Sequence, residues 1–424
     1  MQTSLRGRQI RVRQANGSLP DTGGSDSIFA TGMRSIAEPT WENMMPPKGA
    51  RSRGQAKLAA IGTQTAAAAA SPRRPLFAAL DLGTNSCRML IAEPDGEQFR
   101  VVDAFSKSVR LGMDLERTGY LSRPAINRTI SALRSCASKI RHYGIENTRF
   151  VATEACRRAK NGDVFLKEVR RETGLDLQII RPSEEARLAV VSCASLVEPE
   201  SKQLLIVDIG GGSTELVWID VSEVAPHNRA AAILKLRPSN RFTQSPEETD
   251  GARVVDWISV PIGVATLFEK YRDVDEDGAR FALMSWYFEE QMGDFLPYKD
   301  PSYSQNLDEF QVIGTSGTVT TVGAAHLGLQ RYDRSKVDGM RMNSHEVDAV
   351  VSQFLELGPE GRRTHPGIGR DRTRLIMAGA AILQTLLRIW PTDCIRVADR
   401  GLREGMLYSM MAEMGVLDEP AKRG

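Results

Sequence analysis

Two short apolar runs, Leu76 to Leu82 and Leu204 to Ile209, are each broken by a single acid, Asp81 or Asp208. Each then enters a turn of glycine and small polar residues before apolar positions resume. Continuous apolar runs of this length, bounded by turn residues, predict buried strands. LFAALDLGTNSCRMLIAEP reads as strand, turn at Gly83 to Ser86 and strand, and a third strand follows Asp95-Gly96 in FRVVDAFSKSVRL. The period then becomes helical. Ala125, Ile126, Ile130, Leu133 and Ile140 share one side of a helix after Ser122; a strand at Arg149 to Thr153, a helix from about Asp163, a strand DLQII and a helix near Ser183 complete the unit. From the second run the chain repeats the plan: a strand pair to Ile219, a strand WISV, helices after Gly263 and across Arg280 to Met292, and a strand EFQVIGTSG. Helices to Trp390, a strand DCIRVAD and a helix after Gly401 end it. The pattern predicts an α/β chain of two tandem units, 76–183 and 184–400, with the last helix, 401–424, rejoining the first.

Two segments fall outside this scheme. Residues 1–75 carry 11 Lys+Arg against 4 Asp+Glu and are rich in Gly, Ser, Ala and Pro, which predicts a disordered basic tail. Residues 220–251 are polar, with Pro226, Pro238 and Pro246, and read as a flexible surface excursion inserted into a hairpin.

Composition adds exclusions. With 41% apolar and 25% charged residues the chain is expected to fold around a sizeable core, and no apolar run approaches the roughly 18 residues of a membrane span. Five cysteines without a CxxC pair, and five histidines that do not cluster, point to reduced thiols in the cytoplasm and no zinc site. The tail's charge is expected to be solvated, so nucleic acid is not an expected partner.

The two turns carry the chemistry. LDLGTNS, Leu80 to Ser86, and VDIGGGS, Val207 to Ser213, share one pattern 127 residues apart: apolar, Asp, apolar, Gly, two small or polar residues, Ser. Such a turn offers backbone N–H groups to a phosphate and a carboxylate to a cation beside it. Gly83, Asn85 and Ser86 from the first turn, Gly210, Gly211, Gly212, Ser213 and Thr214 from the second, and Gly314, Thr315, Ser316, Gly317 and Thr318 from GTSGT are the candidate phosphate ligands. GTSGT also opens a helix, whose N-terminus favours anions. Arg88, two residues past Ser86, and Arg157, just beyond strand RFVAT, are candidate cationic clamps. No GxxxxGK[ST] or GxGxxG is present, and Cys394 to Arg400 lacks the glycines of a phosphocysteine loop.

With LDLGTNSCRMLI, VATEACRRAKN, EEARL, VDIGGGSTELV and VIGTSGTVTT in order, the chain from about Leu76 to about Met410 resembles the exopolyphosphatase/guanosine pentaphosphate phosphohydrolase family of the actin-like ATPase superfamily. The resemblance implies two ribonuclease H-like domains facing each other across a cleft. It implies hydrolysis of terminal phosphate from inorganic polyphosphate or guanosine pentaphosphate, with Arg157 as a phosphate-binding arginine, Glu185 as catalytic base and Glu184 as structural. Glu215 becomes a second acid near metal and water, and Asp81 and Asp208 ligands of Mg2+, directly or through its waters. A homodimer is a possible association. The chain departs from the family at Pro182, where glycine is usual, which restricts the approach to Glu185, and at Arg158, where an acid is frequent and which adds positive charge near the substrate's path. Without a C-terminal histidine-aspartate extension the short form is expected. A phosphate-binding sensor with little turnover, and a superfamily small-molecule kinase, remain alternatives.

Overall fold

The computed structural model of the chain describes residues 74–236, 249–305, 307–369 and 372–417. The expected tail lies outside these apart from its last two residues, and so does 237–248 within the expected excursion.

Eleven strands among the described residues form two sheets. In the first, β1 (Phe77–Leu82), β2 (Ser86–Asp95), β3 (Gln98–Ser108), β4 (Asn147–Ala152) and β5 (Gln178–Ile179) lie in the order β3-β2-β1-β4-β5. In the second, β6 (Gln203–Ile209), β7 (Thr214–Asp220), β8 (Arg253–Val260), β9 (Phe310–Thr315), β10 (Arg341–Met342) and β11 (Ile395–Ala398) lie in the order β10-β11-β9-β6-β7-β8. The central strands repeat one plan. β1 pairs antiparallel with β2 and parallel with β4, as β6 does with β7 and β9.

Both central strands are covered on two faces, which is why their sequences are nearly continuous in apolar residues. Along β1, Ala78, Leu80 and Leu82 enter a core with Ile130, Leu133 and Phe165, while Phe77 and Ala79 pack with Leu188 and Met406. Along β6, Leu205 and Val207 share a core with Phe288, Phe354 and Trp390, while Leu204 and Ile206 meet Ala186 and Val190. Leu188, Ala186 and Val190 all belong to the helix Pro182–Cys193, which therefore contributes to the cores of both sheets. The C-terminal helix Leu402–Glu413 packs on the first sheet and crosses Pro182–Cys193 closely. A Cβ on Gly405 would stand 2.2 Å from the Leu188 carbonyl oxygen.

Two elements differ from expectation. DLQII is strand only at Gln178–Ile179, whereas the strand containing WISV is longer, Arg253–Val260, because it edges the hairpin partner β7. The described first part of the expected surface excursion is not simply polar surface. Arg229–Lys235 is a helix whose Ala232 and Ile233 pack with Ala194 and Leu196, since the run AAAIL supplies an apolar face. Among the described residues no helix is long and apolar enough to cross a membrane. All five cysteines are buried and unpaired.

Candidate active site

Strand parity brings the acids together. Asp81 has the parity of Phe77 and Ala79, and Asp208 that of Leu204 and Ile206, so both point to the faces covered by helix Pro182–Cys193. Their antiparallel partners share those faces: Arg88 lies opposite Asp81, and Glu215 opposite Asp208. Glu185, in the first turn of the covering helix, is delivered to the same place.

The turns between the strands are built alike. Gly83 N–H donates to the Ser86 carbonyl at 3.0 Å, and Gly210 N–H to that of Ser213 at 2.9 Å. In the second turn the carbonyls of Gly210 and Gly211 accept from the N–H groups of Val264 and Ala265, at the start of helix Val264–Lys270, and that of Gly212 accepts from the Thr266 hydroxyl. In a trans peptide the N–H points opposite to the C=O. The N–H groups of Gly211, Gly212 and Ser213 are thus turned away from that helix. In the first turn the Thr84 carbonyl accepts from Gly112 N–H, and the Asn85 carbonyl from Val109 and Arg110, which turns the N–H groups of Asn85 and Ser86 away from loop 109–112. The glycines serve close approach. A Cβ on Gly212 would stand 2.5 Å from Thr84 Oγ1, and one on Gly211 3.2 Å from Asn85 N, so the two turns touch only because side chains are absent.

Between them lies a cavity of about 320 Å3. Asp81, Gly83, Asn85, Ser86, Arg88, Glu185, Asp208, Gly210, Gly211, Gly212, Ser213, Thr315, Ser316, Gly317 and Thr318 line it. Ser316 closes the third loop at φ 152°, a backbone region that favours glycine, and its hydroxyl caps the helix Gly317–His326 by accepting from Thr318 and Val319 N–H at 3.1 and 3.2 Å.

The carboxylates lie in a low-dielectric setting. Burial, then the charge of Glu215, pushes Glu185 well above the usual carboxylate range, against the pull of Arg157. Asp208 is raised in the same way by burial, Glu215 and Asp81, and burial pushes Glu215 up to about 7 although Ser259 donates to its Oε1 at 2.8 Å. Asp81 is raised by burial but opposed by Arg88 and Arg403. Among the described residues no three His, Cys, Asp or Glu side chains converge as a direct metal-ligand set. Asp81 and Asp208, buried acids on the cavity wall, nonetheless suit an ion such as Mg2+, which takes one or two carboxylates and keeps most of its waters.

Several expected residues stand elsewhere. Arg157 is not in the cavity wall. Its guanidinium donates to the Ile180 carbonyl at 2.7 Å and to Glu154 Oε2 at 2.5 Å, and reaches Glu185 Oε2 at 3.3 Å, so it orients the acid and does not line the phosphate seat. Glu215 also lies outside the wall. Thr214 and Gly314 have the opposite parity to Asp208: Thr214 is buried and donates to the Ile262 carbonyl at 2.8 Å, and a Cβ on Gly314 would meet Val319 at 3.0 Å. Gly83 and Gly210 line the wall, but their N–H groups are used within the turns. Glu184 is held by Arg149 at 2.6 Å and Arg187 at 2.9 Å. Arg158 pairs with Glu116 at 2.5 Å and Glu154 at 3.7 Å, which offsets the charge expected near the substrate. Pro182 is the first helical residue, where its missing N–H leaves no bond unmade, and Arg181 before it is extended at φ −74°, ψ 155°.

Three cationic residues of the cavity escaped the sequence reading: Arg372, Arg400 and Arg403. Arg372 donates to Thr321 Oγ1 at 2.7 Å and to the Gly317 carbonyl at 3.0 Å, which ties it to the third loop. Arg400 and Arg403 flank the turn from β11 into the C-terminal helix. GLREG after a parallel strand was the available signal for them, because ligands gather at such strand ends.

The profile of the Ppx/GppA phosphatase family matches residues 90–414. The chain belongs to the Ppx/GppA phosphatase family. A Haemophilus influenzae protein carrying an exopolyphosphatase name is 26% identical over 346 residues, which cover 81% of this chain and 93% of that protein. An Aeromonas salmonicida guanosine-5′-triphosphate,3′-diphosphate pyrophosphatase is 27% identical, over 80% of this chain and 60% of its own length. Among solved structures, the Aquifex aeolicus Ppx/GppA family member aligns with a TM-score of 0.61 at 27% identity, covering 80% of this chain and 98% of that one. The two facing α/β halves are therefore those of Ppx/GppA proteins, in the actin-like ATPase fold, and the family activity is that of a phosphatase.

Proposed function

We propose that this Ppx/GppA phosphatase is a Mg2+-dependent phosphohydrolase that releases terminal orthophosphate from inorganic polyphosphate, the 5′-γ-phosphate of guanosine pentaphosphate, or both. The observation that carries the reading is the meeting of two N–H-lined turns with one oriented carboxylate, Glu185, at a single cavity. Phosphoryl transfer asks a protein mainly to position the terminal group, neutralise its charge and orient the nucleophile. The N–H groups of Asn85, Ser86, Gly211, Gly212 and Ser213 bind the phosphate oxygens, and Arg88 takes part of their charge. Glu185, held by Arg157 and raised by burial, accepts the proton of the attacking water. The water oxygen bonds to the terminal phosphorus, and the bridging oxygen leaves with its electron pair on the shortened chain. Asp81 and Asp208 would hold Mg2+, which when bound neutralises phosphate oxygens next to the reacting centre. Buried, unpaired cysteines fit a reducing compartment, the cytoplasm.

The test is phosphate release from short polyphosphate, long polyphosphate and guanosine pentaphosphate with Mg2+. Turnover of at least one substrate, lost in Glu185→Ala, is expected. No release above that variant on any of the three would refute the reading.

A further inference from the structure

Among the described residues four arginines line the cavity, and the protein itself engages two of them. Arg372 donates to the Gly317 carbonyl at 3.0 Å and to the hydroxyls of Thr320 and Thr321 at 3.3 and 2.7 Å, which locks it onto the third loop. Arg400 pairs with Asp338 at 3.0 Å and donates to the Ser195 hydroxyl. Arg88 and Arg403 are different. Among the described residues neither guanidinium donates a hydrogen bond to a protein group and Arg88 forms no ion pair, while Arg403 has only Glu404 in ion-pair range, at 3.5 Å.

Arg403 is held in place by the fold around it. Its side chain is 15% exposed and belongs to the first turn of the C-terminal helix Leu402–Glu413. Buried Glu404 anchors that turn, since its Oε2 accepts Gly401 N–H at 3.0 Å and its Oε1 accepts from Arg334 at 3.3 Å. The close approach of Gly405 to the Leu188 carbonyl seats the same helix against Pro182–Cys193, which carries Glu185. The charges of Arg88 and Arg403 repel each other, and both attract Asp81. One carboxylate does not balance two guanidiniums. Other acids of the wall are engaged elsewhere: Glu154 and Glu185 by Arg157, and Asp399 by Arg334. Two partly buried cations with open donors on one cavity call for an anion with several acceptor oxygens.

Resting on the phosphohydrolase reading above, we propose that Arg403 is a substrate-binding residue that, together with Arg88, grips the oxygens of one phosphate from two separate elements, the C-terminal helix and the β1–β2 hairpin. The phosphate seat is then complete only when the last helix of the chain returns to the first sheet.

Tripolyphosphate with Mg2+, titrated calorimetrically against the Glu185→Ala protein, tests this without hydrolysis of the probe. In that parent, Arg403→Met and Arg403→Gln are each expected to weaken binding at least about tenfold while the melting temperature stays nearly unchanged. Because both arginines hold one phosphate, Arg88→Met and Arg403→Met combined should cost clearly less than the product of their separate losses. With Glu185 restored, Arg403→Met should raise KM on every accepted substrate more than it lowers kcat, whereas loss of folded protein would lower kcat alone. Affinity within about twofold of the parent in either Arg403 variant that folds overturns the assignment, and losses that multiply fully in the double variant overturn the shared phosphate. A parent that does not bind tripolyphosphate refutes the phosphate reading itself.

Discussion

The two hairpins that form the cleft have the same turn and the same register, yet opposite electrostatics. In the first, Asp81 faces Arg88 across the strands; in the second, Asp208 faces Glu215. Arg88 opposes the rise in the Asp81 value, while Glu215 adds to the rise in Asp208. A duplicated backbone thus supplies two equivalent sets of N–H donors, and one cross-strand residue divides their work. Beside its N–H donors the first hairpin adds the cation of Arg88, which favours an anion, and the second adds the acid of Glu215, which favours a cation or protons.

The sharpest way to break this comparison is to remove the group the two hairpins converge on. Glu185→Gln is expected to lower kcat on any accepted substrate by about 10^2 to 10^4 with little change in KM, read by steady-state phosphate release. Packing provides the second contrast. An alanine at Gly212 puts its Cβ into Thr84 and, at 3.0 Å, Glu154, whereas at Gly83 the nearest atom is 3.7 Å away. Gly212→Ala should lose about 1–3 kcal/mol of stability in chemical denaturation and Gly83→Ala much less.

A smaller effect concerns Arg157. Removing its charge in Arg157→Gln raises the Glu185 value further, so the acid limb of the kcat/KM profile should move to higher pH. The smallest is a stability trend without metal. Glu185, Asp208 and Glu215 bind their protons more tightly folded than unfolded, so their contribution is complete below the unfolded values and is lost as pH rises through the folded ones. For Glu215 that window runs from 4.5 to about 7. The melting temperature should fall across it, and Glu215→Gln should flatten the fall.

Much of the fold was legible because the apolar period changes cleanly from strand to helix and back, and because LDLGTNS and VDIGGGS announce one hairpin made twice. The cavity wall was legible for the same reason. Thr214 and Gly314 were misassigned although strand parity alone turns both away from Asp208. Arg157 sits three residues from Glu154 on one helix, a pairing the spacing contains, but it meets Glu185 only when the helix after β5 folds back over the sheet. Arg400 and Arg403 follow a parallel strand and left only the GLREG signal, whereas Arg372 reaches the third loop through tertiary packing that no local pattern encodes. The glycines of the second turn were recognised, but for small size at a phosphate; the closest constraint on Gly211 and Gly212 is the other turn.

The division of work between the hairpins is tested most directly by titrating Mg2+ and polyphosphate against turnover in Arg88→Met and Asp208→Asn. Arg88→Met should raise the KM for polyphosphate at least about tenfold with the Mg2+ requirement nearly unchanged, and Asp208→Asn should raise the Mg2+ requirement with KM nearly unchanged. Variants that shift both parameters alike, or in the reverse assignment, would contradict the account.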